Sequence, residues 1–329
     1  MIDTTKLPIR QPSEAYIFRY PEPAELAQKQ ASIFWNAAEI NVDGDKNDFL
    51  FNMSYAEQEA VKTTLKLFTM YEVLLNEAWG SKIYHWFPRP ETQMMSSMFA
   101  AMEAAVHAVF YSNLNKTLMI DDELFYLSYK NDPVLSDRIK DINEALNSED
   151  VLLAMAAFTL LENVVLYSNF AFLAHYQANG KNMINNVVSG IKFSANDESI
   201  HALGAAWLFD QTLSEYRDSK DYDPKKVEEL EAQIYELAEH LCEHEQRIVD
   251  ILFENGPIEG IAGEDIKEFV KDRVDMTLSN LNLEKIYNVK ENPVADWFYN
   301  TINGLGLHDF FSKQGNSYQR SFGEGDFDF

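Results

Sequence analysis

The stretch MEAAVHAVFY, from Met102 to Tyr111, sets a carboxylate, an imidazole and a phenol at four-residue spacing inside an apolar run. On a helix, Glu103, His107 and Tyr111 fall on one stripe. Polar and charged side chains in an apolar interior are costly unless something pairs with them. Three further segments supply partners of the same kind. Glu72 stands in LFTMYEVLLNEAW and Glu162 in AAFTLLENVVLYSNFAF, while FSANDESIHALGAAW carries Glu198 and His201 as a Glu-x-x-His pair. Four carboxylates and two imidazoles on four helices form the ligand set of a dimetal-carboxylate site. Two divalent cations close together need anionic oxygens to bridge them and about one imidazole each. Such a set suits iron or manganese. Zinc would more often recruit thiolates, and the chain has a single cysteine, Cys242. Taken singly the parts say little, since a lone helical glutamate is usually solvated and Glu198-x-x-His201 reads equally as a surface contact. Their order on long helices is what carries the specificity.

Those helices are visible in the apolar spacing. Apolar residues recur every three or four positions over 23–39, 55–82, 91–117, 150–178, 183–214, 224–255 and 263–285. Breakers separate the runs: FPRPE at 87–91, ANGKN at 178–182, DYDP at 221–224 and ENGPIEG at 254–260. No long alternating pattern suggests a sheet. The reading is an all-α bundle, whose core is a usual place for metals.

Composition removes other classes. The net charge of −26, from 53 acidic against 27 basic residues, argues against sequence-independent nucleic-acid binding. No run of about 18 apolar residues stands out, so no membrane span is expected. The start MIDTTKLPIRQPSEAYIF lacks the basic-then-apolar pattern of a signal peptide. One cysteine excludes an internal disulfide framework and fits a reducing cytoplasm. His85 beside FPRPE reads as structural, and His175, His240, His244 and His308 have no spaced carboxylate partner. The segment 227–245, VEELEAQIYELAEHLCEHE, reads as an amphipathic helix with a solvated face. Neither a Gly-rich phosphate loop nor GxSxG is present, so nucleotide hydrolysis and serine-hydrolase chemistry find no support.

The same residues resemble the small, radical-generating subunit of class I ribonucleotide reductase. The likeness extends over nearly the whole chain, through FWNAAEI, the four ligand helices in order, NDESIHA, NPVADWF and FFSKQGNSYQRSFG. It implies a ferritin-like helical bundle, homodimeric, that assembles a dimetal-carboxylate site. Glu72, Glu103 and His107 would serve one metal and Glu162, Glu198 and His201 the other, as a di-iron pair or alternatively a dimanganese or manganese–iron one. Tyr111 matches the tyrosine oxidised to a stable radical, and Phe170 fits the apolar wall around it. Trp35, Asp197 and Tyr318 match the radical-transfer residues, with Asp197 linking Trp35 to His107. A histidine ligand commonly gives its second ring N–H to a carboxylate in this way. The oxidising equivalent would go to a large catalytic subunit that reduces ribonucleotides to deoxyribonucleotides, and a flavoprotein activase is a further expected partner. The chain divides into an extension over 1–22, a helical domain over 23–309 and a docking tail over 310–329 that ends GEGDFDF.

Two departures from the family pattern bear on the site. The position of Glu72 is more commonly Asp, although the manganese–iron and dimanganese subgroups also carry Glu there. The manganese–iron subgroup lacks the radical tyrosine, which this chain has as Tyr111. The second departure is Glu103-x-x-x-His107, one residue longer than the usual Glu-x-x-His. A regular helix still puts i and i+4 on one face, and a one-residue π-bulge is the other solution, so this helix is expected to be locally irregular. Rival readings are a stand-alone dimetal oxidase or oxygenase and a ferritin-like metal-storage protein.

Overall fold

The computed structural model describes residues 1–303, and among these no residue is in a strand. The main helices are α1 (Pro21–Ser32), α2 (Tyr55–Glu77), α3 (Pro90–Met102), α4 (Ala108–Thr117), α5 (Pro133–Leu146), α6 (Val151–Leu160), α7 (Leu166–Ala174), α8 (Asn185–Arg217), α9 (Pro224–Leu252), α10 (Gly263–Asn280) and α11 (Pro293–Asn303). The architecture is the ferritin-like bundle that the carboxylate-bearing helices lead to.

Local chemistry fixes where the helices start. At α2, Ser54 and Glu57 form a reciprocal capping box, with Ser54 N–H donating to Glu57 Oε2 at 2.8 Å and Glu57 N–H to Ser54 Oγ at 3.3 Å. Asp150 caps α6 by accepting from the Leu152 and Leu153 amides, and Asp223 caps α9 ahead of Pro224. The run expected over 23–39 stops at Ser32. Asn36 and Glu39 there build a capping box of their own on a 3-10 turn, and Trp35 ahead of it turns into the core.

The core is made by four helical runs: α2, α3 with α4, α6 with α7, and α8. The most extensive packing joins α6 to α8 and α1 to α3, while α2 packs on α4. Outside them, α9 covers α6 and α2, and α10 covers α7 and packs on α9. Every residue of α6 except Leu153 is buried. A helix apolar on all sides belongs in a core. The continuous run Val151–Ala178 is long and apolar enough to cross a membrane, and 94% of its most apolar window is buried inside the fold. That run is the bundle's central helix. The N-terminal residues Ile2, Leu7 and Ile9 are buried against the same body.

Two of the runs are not continuous α-helix. Glu103–His107 separates α3 from α4 as a π segment, and Leu161–Val165 separates α6 from α7 as another. A third, Ala78–Ile83, follows α2. Such segments cluster at functional sites, and the first two hold three of the carboxylate and imidazole residues singled out above.

Candidate metal centre

The four runs bring six side chains together. One ligand atom each from Glu72, Glu103, His107 and Glu198 lies within 4.8 Å of the others, and so does one each from Glu103, Glu162, Glu198 and His201. Glu103 and Glu198 belong to both groups, as carboxylates bridging two cations would. His107 Nδ1 stands 3.0 Å from Glu103 Oε2, 3.2 Å from Glu198 Oε1 and 3.7 Å from Glu72 Oε2. His201 Nδ1 stands 2.7 Å from Glu103 Oε1, 2.9 Å from Glu198 Oε2 and 4.0 Å from Glu162 Oε1. The two imidazole centroids are 6.3 Å apart, and all six residues are buried.

The extra residue between Glu103 and His107 is absorbed by the π segment. Ala108 N–H donates to Glu103 O, five residues back. A π turn holds more residues than an α turn, so Glu-x-x-x-His closes on one face there as Glu198-x-x-His201 does within regular α8. The irregularity expected of this helix is present.

Burial and mutual repulsion organise the protons. Burial, reinforced by Glu103, pushes the Glu72 carboxyl well above the usual carboxylate range, and burial beside Glu198 and Glu103 does the same to Glu162. Burial also acts to raise Glu103, but the neighbouring His107 and His201 outweigh it and hold this carboxyl well down. Glu198 is lowered too, against burial and Glu103, by its contacts with both imidazoles. Burial opposes charge on the imidazoles, yet Glu103 and Glu198 raise His107 well above its ordinary value and Glu103 raises His201 to about 9. The cluster therefore combines two anionic carboxylates, two protonated imidazoles and two carboxyls biased toward the neutral acid. Two divalent cations fit in place of those protons, since four carboxylates balance them charge for charge. Glu72 Oε2 and Glu162 Oε2 are buried without a hydrogen-bond partner, which leaves lone pairs for cations to take up.

Around the six stands a supporting shell. His107 Nε2 donates to Asp197 Oδ2 at 2.9 Å, so the Nδ1 side faces the carboxylates. Trp35 Nε1 donates to the same oxygen at 2.8 Å, and Gln30 Nε2 donates to Asp197 Oδ1 at 2.7 Å. The Trp35 and His107 rings are 5.9 Å apart, and Trp35 itself is buried. Tyr111 is buried, stacked on Phe68 at 4.7 Å and against Phe110 at 5.0 Å, with its hydroxyl 3.5 Å from Ser194 Oγ. Burial and the nearby Glu72 keep its phenol well above its ordinary pKa. Phe170 packs on Phe68 at 5.4 Å, one ring removed from Tyr111. Tyr318 and the tail 310–329 lie outside the described residues.

Trp79 is a residue that reading the sequence overlooks. Its Nε1 donates to Glu162 Oε1 at 3.0 Å, and its ring lies 6.1 Å from that of His201. It follows Glu72 by seven positions, two helical turns, and that spacing is the signal that could have found it. The remaining described histidines stay apart from the cluster. His85 is exposed on Ser81 O, His175 bonds Phe172 O with burial lowering it to about 4, and His240 and His244 stack at 4.3 Å. The helix over 227–245 is amphipathic as expected, with one correction: Glu245 is fully buried, paired with Arg138 and accepting from Ser168.

The comparisons with known proteins point to one family. The β subunits of ribonucleoside-diphosphate reductase from Bacillus phage SPbeta and from Bacillus subtilis are each 25% identical to the chain, aligning with 88% of it and 86% of their own length. Among solved structures, the dimanganese(II)-NrdF of Streptococcus sanguinis superposes with a TM-score of 0.72 at 22% identity, over 88% of this chain and 98% of that one. The R2 subunit of ribonucleotide reductase from Clostridium botulinum gives 0.73 at 20% identity, over 86% and 89%. The family described as ribonucleotide reductase, small chain, matches residues 14–293. With that match spanning most of its length, the chain belongs to the ribonucleotide reductase small-chain family.

Proposed function

We propose that Glu72, Glu103, His107, Glu162, Glu198 and His201 hold two metal ions, and that Tyr111 carries a radical generated beside them. The protein is the small subunit of ribonucleoside-diphosphate reductase, and ribonucleotides are reduced to deoxyribonucleotides with its large catalytic partner. The family match favours this activity over a stand-alone oxidase or a storage protein. The observation that carries the metal reading is the pair of four-ligand groups sharing Glu103 and Glu198.

When bound, the metal pair supplies redox chemistry, with oxygen or a reduced oxygen species as the oxidant. The chain's own residues do the rest. Glu103 and Glu198, common to both groups, would serve both ions, Glu72 and Glu162 would serve one each, and His107 and His201 would each offer Nδ1. Phe68 and Phe110 keep water from Tyr111, whose hydroxyl holds its proton at rest and gives it up on oxidation. Asp197 joins Trp35 Nε1 to His107 Nε2, which makes a short route along which an electron and a proton can be exchanged. From Trp35 the route continues, on this reading, through Tyr318 to the large subunit, with the tail 310–329 docking there.

Glu at position 72 and a tyrosine at 111 support either iron or manganese, and the dimanganese relative keeps manganese in view. The proposal includes a homodimer, a flavoprotein activase and a cytoplasmic setting, on the family resemblance. Electron paramagnetic resonance on the metal-loaded, oxidised chain is the test. We expect a tyrosyl signal and activity with a large subunit, both lost in Tyr111→Phe. A tyrosyl signal that survives in Tyr111→Phe refutes the assignment.

A further inference from the structure

Two fully enclosed arginines take no part in the chemistry above. Arg138 comes from α5 and Arg273 from α10, on separate helices, and both are buried. An enclosed guanidinium is costly unless its charge and donors are met, and in Arg138 Nη2 makes the contacts while Nε and Nη1 have no hydrogen-bond partner. Arg138 pairs with Glu245 of α9 and lies 4.9 Å over the Tyr71 ring. Arg273 lies 3.7 Å over the Tyr167 ring, donates to Tyr299 Oη at 3.0 Å, and has no carboxylate in direct contact among the described residues.

What the two share is their other target. Arg138 Nη2 donates to Val165 O at 2.9 Å. Arg273 Nε donates to Asn163 O at 2.8 Å, and its Nη2 donates to Asn163 Oδ1 at 2.7 Å. Both carbonyls belong to the π segment Leu161–Val165, which also carries Glu162. A π segment offsets the hydrogen-bond ladder from that of the flanking α-helices, and its carbonyls need donors from outside. In this apolar core no other charged donor reaches them among the described residues. The segment is therefore gripped at two carbonyls, that of Asn163 at its midpoint and that of Val165 at its end, by donors anchored on helices outside the four-run core.

We propose that Arg138 and Arg273 are positioning residues: by clamping the carbonyls of the π segment they hold the Glu162 carboxylate at the metal pair. This rests on the reading of Glu162 as a ligand. It assigns Arg273, through Asn163, an effect on one metal position, that of Glu162 and His201, and none on the position of Glu72 and His107; Arg138, which also lies over Tyr71 beside Glu72, is not confined to one position. The segment at Glu103–His107 has no such guanidinium among the described residues, so the two ends of the site are supported differently.

The test is a titration of the metal-free, full-length chain with Mn²⁺, followed by calorimetry and by electron paramagnetic resonance of the bound ion. Arg273→Lys keeps the charge but loses the forked grip on Asn163. Asn163→Ala is the gentler second variant, leaving the Arg273 Nε contact to the backbone carbonyl in place. Glu162→Gln and Glu72→Gln serve as references for the two metal positions. We expect Arg273→Lys to weaken one of the two binding steps by about 10–100-fold, the range for loss of an outer-shell partner. Asn163→Ala should weaken the same step less, and both should reproduce the pattern of Glu162→Gln. Wild-type affinity at both positions in a folded Arg273→Lys overturns the inference, as does parallel weakening of both steps. If Arg273→Lys does not fold, the same two outcomes in Asn163→Ala decide the matter. A wild-type chain that fails to bind two ions would overturn the ligand assignment instead.

Discussion

Asp197 offers the sharpest perturbation because three donors converge on its two oxygens. Gln30 Nε2 reaches Oδ1 at 2.7 Å, while Trp35 Nε1 and His107 Nε2 reach Oδ2 at 2.8 and 2.9 Å, and all four residues are buried. Asp197→Ala strips the acceptor from all three. A buried donor left unsatisfied costs about 1–3 kcal/mol, so the sum is about 3–9 kcal/mol. That is a large part of a stability of about 5–15 kcal/mol. Asp197→Asn is different in kind. Its amide oxygen can still accept from Trp35 and His107, and its NH2 then faces Gln30. Gln30 Oε1 has no hydrogen-bond partner, so turning the Gln30 amide provides an acceptor. What Asn loses is the charge, worth about 1–2 kcal/mol on the bond from the protonated His107. The metal-free Ala variant should therefore melt far below wild type and the Asn variant only modestly below it, as read by circular dichroism. Activity with a large subunit should fall in the folded Asn variant, since the route from Trp35 to His107 loses its anion. Ala and Asn variants of equal thermal stability would refute the convergence argument.

Other consequences are as direct. In the metal-free chain His201 keeps its proton up to about 9. The stability this contributes is complete below the ordinary imidazole pKa of about 6.5 and is lost as pH rises through that higher value. Metal binding displaces the proton, so apparent Mn²⁺ affinity should climb between about pH 6 and about pH 8, by about tenfold per pH unit for each proton released. A calorimetric titration showing no pH dependence would contradict this. A Cβ at Gly190 would lie 2.3 Å from Phe110 Cζ, and Phe110 packs on both Trp35 and Tyr111. Gly190→Ala should cost about 1–3 kcal/mol by overpacking and shift the tryptophan fluorescence; an unchanged melt would speak against the packing. Deleting residues 310–329 should abolish activity with the large subunit while leaving metal binding intact, and unchanged activity would sink the docking role of the tail.

Much of the site was legible in the sequence because its residues break a pattern. Glu162 stands out in a helix that is otherwise apolar all round, and the anomalous Glu103-x-x-x-His107 spacing pointed to a local irregularity that is there as a π segment. The second π segment, at Leu161–Val165, was not legible: in a run this largely apolar, Glu162 and the few small polar residues near it set no regular polar phase, so an inserted residue leaves no mark. The pairing of Arg138 with Glu245 was hidden among the charges of amphipathic helices. Yet Glu245 lies in the stripe Ala238, Leu241, Cys242, Ile248, Val249, all buried, and that register could have placed it inside. Helices α5 and α11 were missed as well.

The central claim is that one pocket holds two ions bridged by Glu103 and Glu198. Anomalous diffraction from crystals of the metal-loaded chain, collected at the absorption edge of the bound metal, measures this directly. Two peaks are predicted, one among Glu72, Glu103, His107 and Glu198 and the other among Glu103, Glu162, Glu198 and His201. A single peak, or ions bound away from these six residues, would contradict the account.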